Sequence, residues 1–218
     1  MNRLQIALTI ILAGLAAGSA AAEPFSCDVR VVSAIDGNKN TMTGKVISDT
    51  AGRFRLELYS VRGVRITIRN GEDIWTYDPN AAEGLHYRAK QGTDAAGAGS
   101  LYFDKALERF VKSGGKRVRT ETLEGQKCEV YVRSPRQGVT ETLWVTADAT
   151  KRPFRVRVVS KVRAAKQLGQ PITDRTITRT TDYRNWKTGI QIAAEQFRPP
   201  KGVQFREAES GGLVGRRQ

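Results

Sequence analysis

A single histidine and two cysteines in 218 residues leave almost nothing from which to build a metal centre or a histidine-based catalytic site. The sequence holds no GxSxG, HExxH, P-loop or GxGxxG pattern, and no CxxC. Those absences remove the usual hydrolase, zinc-protease, nucleotide-binding and thiol-exchange classes. Aromatic residues make up only 7% of the chain, and only one long stretch lacks charge, so a polytopic helical membrane protein is excluded. Acidic residues are also in the minority. There are 36 Lys and Arg against 22 Asp and Glu, a formal net charge of +14. Such a balance suits an anionic partner such as nucleic acid, lipid headgroups or cell wall, or simply a solvated surface. At 39% hydrophobic residues the chain is too apolar to be disordered, and its length allows one domain or two small ones with a proper core.

The uncharged stretch stands at the start. Residues 1–22 read MNRLQIALTIILAGLAAGSAAA, with Arg3 ahead of an apolar run from Ile6 to Ala17 and small residues Ala20 to Ala22 before Glu23. This is the pattern of a secretory signal peptide and is set apart from the fold. Cys27 follows Pro24, Phe25 and Ser26 rather than the small residues, so a lipid-anchor signal is not formed. Export to the periplasm is therefore expected, with no transmembrane segment in the mature chain and no nucleic acid as partner. In an oxidising compartment a Cys27–Cys128 disulfide is favoured. It would close a loop of about a hundred residues and contribute on the order of 4–5 kcal/mol in the chain-entropy picture. The alternative is two buried free thiols.

Nearly everything downstream alternates with a period of two. Phe54, Leu56 and Leu58 are interleaved with Arg55 and Glu57, and Val64, Ile66 and Ile68 with Arg65, Thr67 and Arg69. The pattern recurs over Lys127 to Arg133, Val139 to Val145 and Phe154 to Val162, where Phe154, Val156, Val158 and Ser160 share one parity. Thr173 to Trp186 reads as a long strand with an exposed face. Gly, Pro, Asn and Asp punctuate these runs, and Asn70-Gly71 between two strand patterns is the strongest hairpin signal. The reading is a mainly β (α+β) protein, with about ten or eleven strands in an antiparallel, mostly sequential sheet.

Ser100 to Ser113 breaks the pattern. Leu101, Leu107, Phe110 and Val111 recur at helical spacing, Ser100 is a fair N-cap and Gly114-Gly115 a fair stop. The apolar stripe of this helix needs the apolar face of the sheet, either as a plug in an ordinary core or as a cover over a ligand cavity. Lys161 to Asp174 reads as a strand end and a hairpin tip, and 207–218 as a flexible tail. A signal peptide over 1–22, one β domain over 23–206 and that tail make up the expected organisation.

The chemistry available is sparse. His86 is the sole imidazole, with no cysteine or second histidine at ligand spacing, so a surface or packed histidine is its default role. No catalytic residue, metal ligand or cofactor site is assigned. Arg53, Arg55, Arg65, Arg69, Arg155 and Arg157 fall at the polar parity of their strands, as solvated outer faces do.

The segment from Gly71 to Pro79 (GEDIWTYDP) resembles the strand-turn signature of outer-membrane lipoprotein carriers, the LolA/LolB-like superfamily. The downstream order agrees: Gly125 to Cys128, Leu143 to Val145, Arg152-Pro153, and a closing stretch from Phe197 to Val203. Phe25 to Cys27 and Met42 to Lys45 are closer to an uncharacterised exported subgroup of it. The resemblance implies a curved, incomplete antiparallel β-barrel with a helix on its concave face, enclosing an apolar cavity for acyl chains. No residue between Ser48 and Arg53 matches the carriers' functional arginine, so Arg53 receives no such role.

Two functions follow. One is a periplasmic lipid- or lipoprotein-binding carrier, not an enzyme, that shields acyl chains through buried apolar area at about 0.8 kcal/mol per methylene. Its candidate lining is Phe54, Leu56, Leu58, Ile66, Ile68, Phe154, Val156 and Val158 from the sheet, with Leu107 and Phe110 from the helix. The other is an envelope protein-interaction or sensing module with the same fold and a filled core, its partners being envelope proteins. For any single lining residue, plain core packing is the competing role.

Overall fold

The alternating runs become strands wherever turn residues let the chain reverse. The computed structural model describes residues 23–88, 106–163 and 174–208; residues 1–22, 89–105, 164–173 and 209–218 lie outside them. Six strands come first: β1 (Phe25–Ile35), β2 (Asn38–Ser48), β3 (Phe54–Ser60), β4 (Gly63–Asn70), β5 (Asp73–Tyr77) and β6 (Glu83–Arg88). Helix α1 (Ala106–Lys112) precedes β7 (Lys116–Leu123), β8 (Gln126–Arg136), β9 (Val139–Thr146), β10 (Pro153–Arg163) and β11 (Asp174–Thr188). A 3-10 turn (Ala194–Phe197) and β12 (Gln204–Glu207) close the described chain, so Glu207, expected in the tail, belongs to a strand.

All twelve strands form one sheet in the order β12-β6-β5-β4-β3-β2-β1-β11-β10-β9-β8-β7. Two antiparallel meanders meet at β1, which pairs with both β2 and β11, and among the described strands only the β12–β6 pair is parallel. The sheet is curved and remains open. Two-residue turns set its register. Asp36 and Gly37 both take positive φ (48° and 87°), as do Glu124 and Gly125 (51° and 79°), the conformation whose twist matches flanking strands. At the Asn70-Gly71 hairpin only Gly71 does (φ 66°), and Asn70 pairs with Asp73.

Register then decides which face each side chain takes. Leu56 stands opposite Thr67 and Leu58 opposite Arg65, and side chains of paired residues share a face. The apolar parity of β3 therefore lies on one face and that of β4 on the other. Leu56 and Leu58 join Cys27, Val29, Val31, Val46, Leu143, Val145, Val156 and Tyr183 on the concave face, where Ala106 and Phe110 of α1 complete the cluster. Ile66, Ile68 and Tyr77 pack on the convex face against Phe197, Ile192, Val203 and Phe205 of the C-terminal segment. A third cluster, Cys128, Val130 and Trp144 with Leu123 and Phe154, is also convex.

β11 departs from the expected exposed-face strand. It lies at the centre of the sheet, and Tyr183, Thr181 and Asp182 are buried. The helix also differs in detail. Val111, placed on its apolar stripe by spacing, is 47% exposed, because the seven-residue helix aims Ala106 and Phe110 inward. Leu101 of the same stripe lies outside the described residues. The stop is as read: Gly114 (φ 93°) and Gly115 return their N–H groups to the carbonyls of Val111 and Phe110, both at 2.9 Å.

The expected disulfide is not formed; both cysteines are free and buried. Cys27 belongs to the concave cluster and Cys128 to the convex one. Their strands stand four positions apart in the sheet, at about 4.8 Å per step, whereas a disulfide needs Cα atoms within about 7 Å. Burial, reinforced by the Asp28 charge, pushes the Cys27 thiol up to about 12. The denatured protein is therefore expected at its full dithiol mass, and dithiothreitol should leave its melting temperature unchanged. A mass lighter by two hydrogens would overturn that assignment.

Candidate functional site: the concave face

The concave face is built from one parity of each strand. Across its middle run Tyr131, Leu143, Val156, Thr181, Val31 and Met42, each opposite the next across adjacent strands. Helix α1 seats Phe110, fully buried, on the β9 side of this row. The Arg133 guanidinium lies 4.9 Å above the Phe110 ring and donates to Glu141 at 2.6 Å. On the far side, over β2 to β6, the same face opens into a groove of about 690 Å³. Met42 and Leu58 form its apolar floor, Thr67, Thr76, Leu85 and Tyr87 its wall, and Arg65 and Arg206 stand at its margin.

The change of apolar face between β3 and β4 explains this mixed lining. Once Ile66 and Ile68 turn to the convex side, Arg65, Thr67 and Arg69 are left facing inward. Thr67 and Thr76 satisfy each other across the β4–β5 pair at 3.3 Å. Burial raises the Tyr87 phenol, opposed in part by a hydrogen bond with Thr76. Leu85 is 38% exposed in the groove. A surface that is apolar on one side and hydroxyl-lined on the other fits an amphiphile better than a purely hydrocarbon ligand.

Of the ten sequence-derived lining residues, Phe54, Leu56, Leu58, Val156, Val158, Leu107 and Phe110 meet in the concave cluster. Leu56, Val156 and Phe110 are closed core rather than surface. Leu58 borders the large groove, and Leu107 a smaller cavity of about 330 Å³ beside Phe25 and Trp186. Ile66 and Ile68 lie on the other face. Phe154 does too, because a bulge between Pro153 and Arg155 inserts an extra residue and shifts its parity. There Arg184 covers its ring at 3.8 Å. Met42, Thr67, Thr76, Leu85 and Tyr87 were missed; register across the Val61-Arg62 turn was the signal that places them.

The shared architecture has known counterparts. No protein-family model matches the chain, and no curated protein matches it in sequence. Among solved structures, an uncharacterised conserved protein from Thermus thermophilus aligns with a TM-score of 0.54 at 13% identity, over 85% of this chain and 91% of that one. A LolA superfamily protein from Nitrosomonas europaea aligns at 0.39 and 14% identity, over 81% and 90%. At 13% identity the first of these likenesses is one of fold. The MucA/MucB complex of Pseudomonas aeruginosa gives 0.42 and 14% identity, over 84% of this chain and 58% of the matched one.

Outside the concave face, His86 does more than pack. Its Nδ1 meets Glu207 Oε1 at 2.5 Å and its Nε2 meets Asp73 Oδ1 at 2.9 Å, with Trp75 stacked at 5.1 Å. Arg88 also reaches Asp73, at 3.4 Å. Burial on its own depresses the imidazole, but the hydrogen bonds and charges of Glu207 and Asp73 outweigh it and raise the pKa. The folded value then exceeds the unfolded one, so the stabilisation is fully present below about 6.5 and lost as pH rises through the folded value. The margin by which wild type out-melts His86→Gln should shrink as pH is raised across that window. A margin that is flat or grows with pH would refute the clamp.

Among the described residues no helix is long and apolar enough to cross a membrane, and no three His, Cys, Asp or Glu gather as a metal site.

Proposed function

We propose that the protein is a periplasmic binder or carrier of acyl lipid or lipoprotein, and that acyl chains occupy the concave groove. The observation that carries this reading is the groove itself. At about 690 Å³, with Met42 and Leu58 continuous with the buried concave cluster, it has the size and apolar floor of a ligand site. The exported leader read from residues 1–22 supplies the compartment, and the fold likeness is consistent with it. The reading is of a binding protein rather than an enzyme.

The test is native and denaturing mass spectrometry of the mature protein, purified from the periplasm without detergent. A mass excess lost on denaturation, with acyl lipid or lipoprotein in the extract, is the expected result. Leu85→Glu places a charge in the groove at a position already partly solvated, so binding should fall about tenfold with little change in stability. A bare mass, unchanged after challenge with lipid, would sink the carrier reading and favour an envelope protein-interaction module.

A further inference from the structure

One half-buried side chain on the concave face carries a buried polar atom without the partner such atoms usually have. Arg179 of β11 stands opposite Val158 on one side and Ser33 on the other. Its neighbours on the same face are Ile177, Thr181, Val31, Ile35, Val156 and Ser160, none of which carries a charge. Its Nε is buried without a hydrogen-bond partner among the described residues. Burial lowers the pKa of the guanidinium, and Tyr183 opposes that effect. Among the described residues, Glu141 on this face is engaged by Arg133 at 2.6 Å and Asp36 by Arg175 at 3.5 Å. Arg62 and Arg65 at the groove are exposed, so water satisfies them. Arg179 is half-buried, and at its Nε there is no such outlet.

We propose that Arg179 holds the anionic headgroup, a carboxylate or phosphate, of the amphiphile whose chain fills the groove. The inference rests on the carrier reading and specifies its ligand. Geometry supports it: Asn40 lines the groove, pairs with Ser33, and Ser33 pairs with Arg179. The guanidinium strand is thus two strand steps, about 10 Å, from the groove wall. A chain lying over β2 to β6 brings its head over β1 and β11. A guanidinium offers an oxyanion two parallel N–H donors, and the apolar surroundings strengthen that contact.

Dodecanoate, dodecyl phosphate and dodecanol share one chain and differ in headgroup, so their affinities separate head from tail. The wild type should bind the two anions about tenfold or more tighter than the alcohol, as a charge-assisted hydrogen-bonded contact implies. Arg179→Met should bind all three alike, at the affinity of the alcohol, and should melt no lower than wild type, since an apolar isostere removes a buried nitrogen that has no partner. Arg179→Lys keeps the charge without the fork and should retain part of the preference. Equal binding of all three probes by wild type would overturn the headgroup site while leaving the carrier reading intact. A preference that survives in Arg179→Met, or a lower melting temperature in that variant, would overturn it too. Inorganic phosphate supplies a separate arm. Arg179-dependent stabilisation by phosphate, with no binding of any dodecyl probe, would support an anion site and sink the carrier. No response to either would overturn both.

Discussion

Phe110→Ala should lower stability by about 3–5 kcal/mol, a fall in melting temperature of roughly 6–20 °C for a chain of this size. The ring is fully buried and is the main anchor of a seven-residue helix too short to be stable by itself. It also carries the Arg133 guanidinium at 4.9 Å and fills the space over Gly115, where a Cβ would lie 2.2 Å from the ring. Truncation leaves a cavity between α1 and the sheet and removes the apolar surface under Arg133. Phe110→Leu keeps most of the contact and should cost roughly 1–2 kcal/mol. Far-ultraviolet β signal should persist in both, because the sheet pairs without the helix. An unchanged melting temperature for Phe110→Ala would show that the helix is not seated as described.

The order of strands and turns was legible because each strand is half-buried and alternates, and because Asp36-Gly37, Asn70-Gly71 and Glu124-Gly125 are turn chemistries with a mechanism. Leu56 was legible as an inward-facing apolar residue from its strand's alternation, and Phe110 from helical spacing. The side of the sheet each strand presents was not. Parity is local to a strand, and the relation between two parities depends on the number of residues in the turn between them. Two residues, Val61 and Arg62, put Leu58 beside Arg65 and send Ile66 to the other face. The bulge at Pro153 and Arg155 did the same to Phe154 within a single strand. The cysteine pairing failed on this point as well, since Cys27 and Cys128 stand on opposite faces.

That reversal of faces is also what creates the candidate site. With its apolar side turned outward, the β4–β6 region needs cover on the convex surface. The segment carrying Ile192, Phe197, Val203 and Phe205 supplies it, with Arg53 stacked 5.0 Å from the Phe197 ring. The inner side of the same strands is left with Thr67, Thr76, Tyr87 and Arg65 instead of a packed core. An open groove thus exists where the apolar parity is missing from the concave face, and a closed core where it is present, beneath α1.

Gly44→Ala tests the curvature on which that groove depends, and is expected to cost about 3 kcal/mol, the upper end of the usual range for overpacking. Gly44 sits on the concave side of β2, between Val29 and Leu58. A Cβ there would fall 1.8 Å from the carbonyl oxygen of Glu57 and 2.9 Å from its carbon. Both are backbone atoms, so no side chain can rotate away, and β3 must shift against β2. Because Leu58 is the next residue on β3 and Met42 lies two positions along β2, the shift moves both pieces of the groove floor. Acyl binding should therefore weaken together with stability. Gly202→Ala is the matched control: nothing lies within 4 Å of its added methyl, so stability should stay within about 0.5 kcal/mol of wild type. Chemical denaturation of the two variants decides the matter. Equal midpoints would mean that β2 and β3 do not approach as closely as the bend requires, and a Gly44→Ala protein that melts early but binds normally would detach the groove from the curvature.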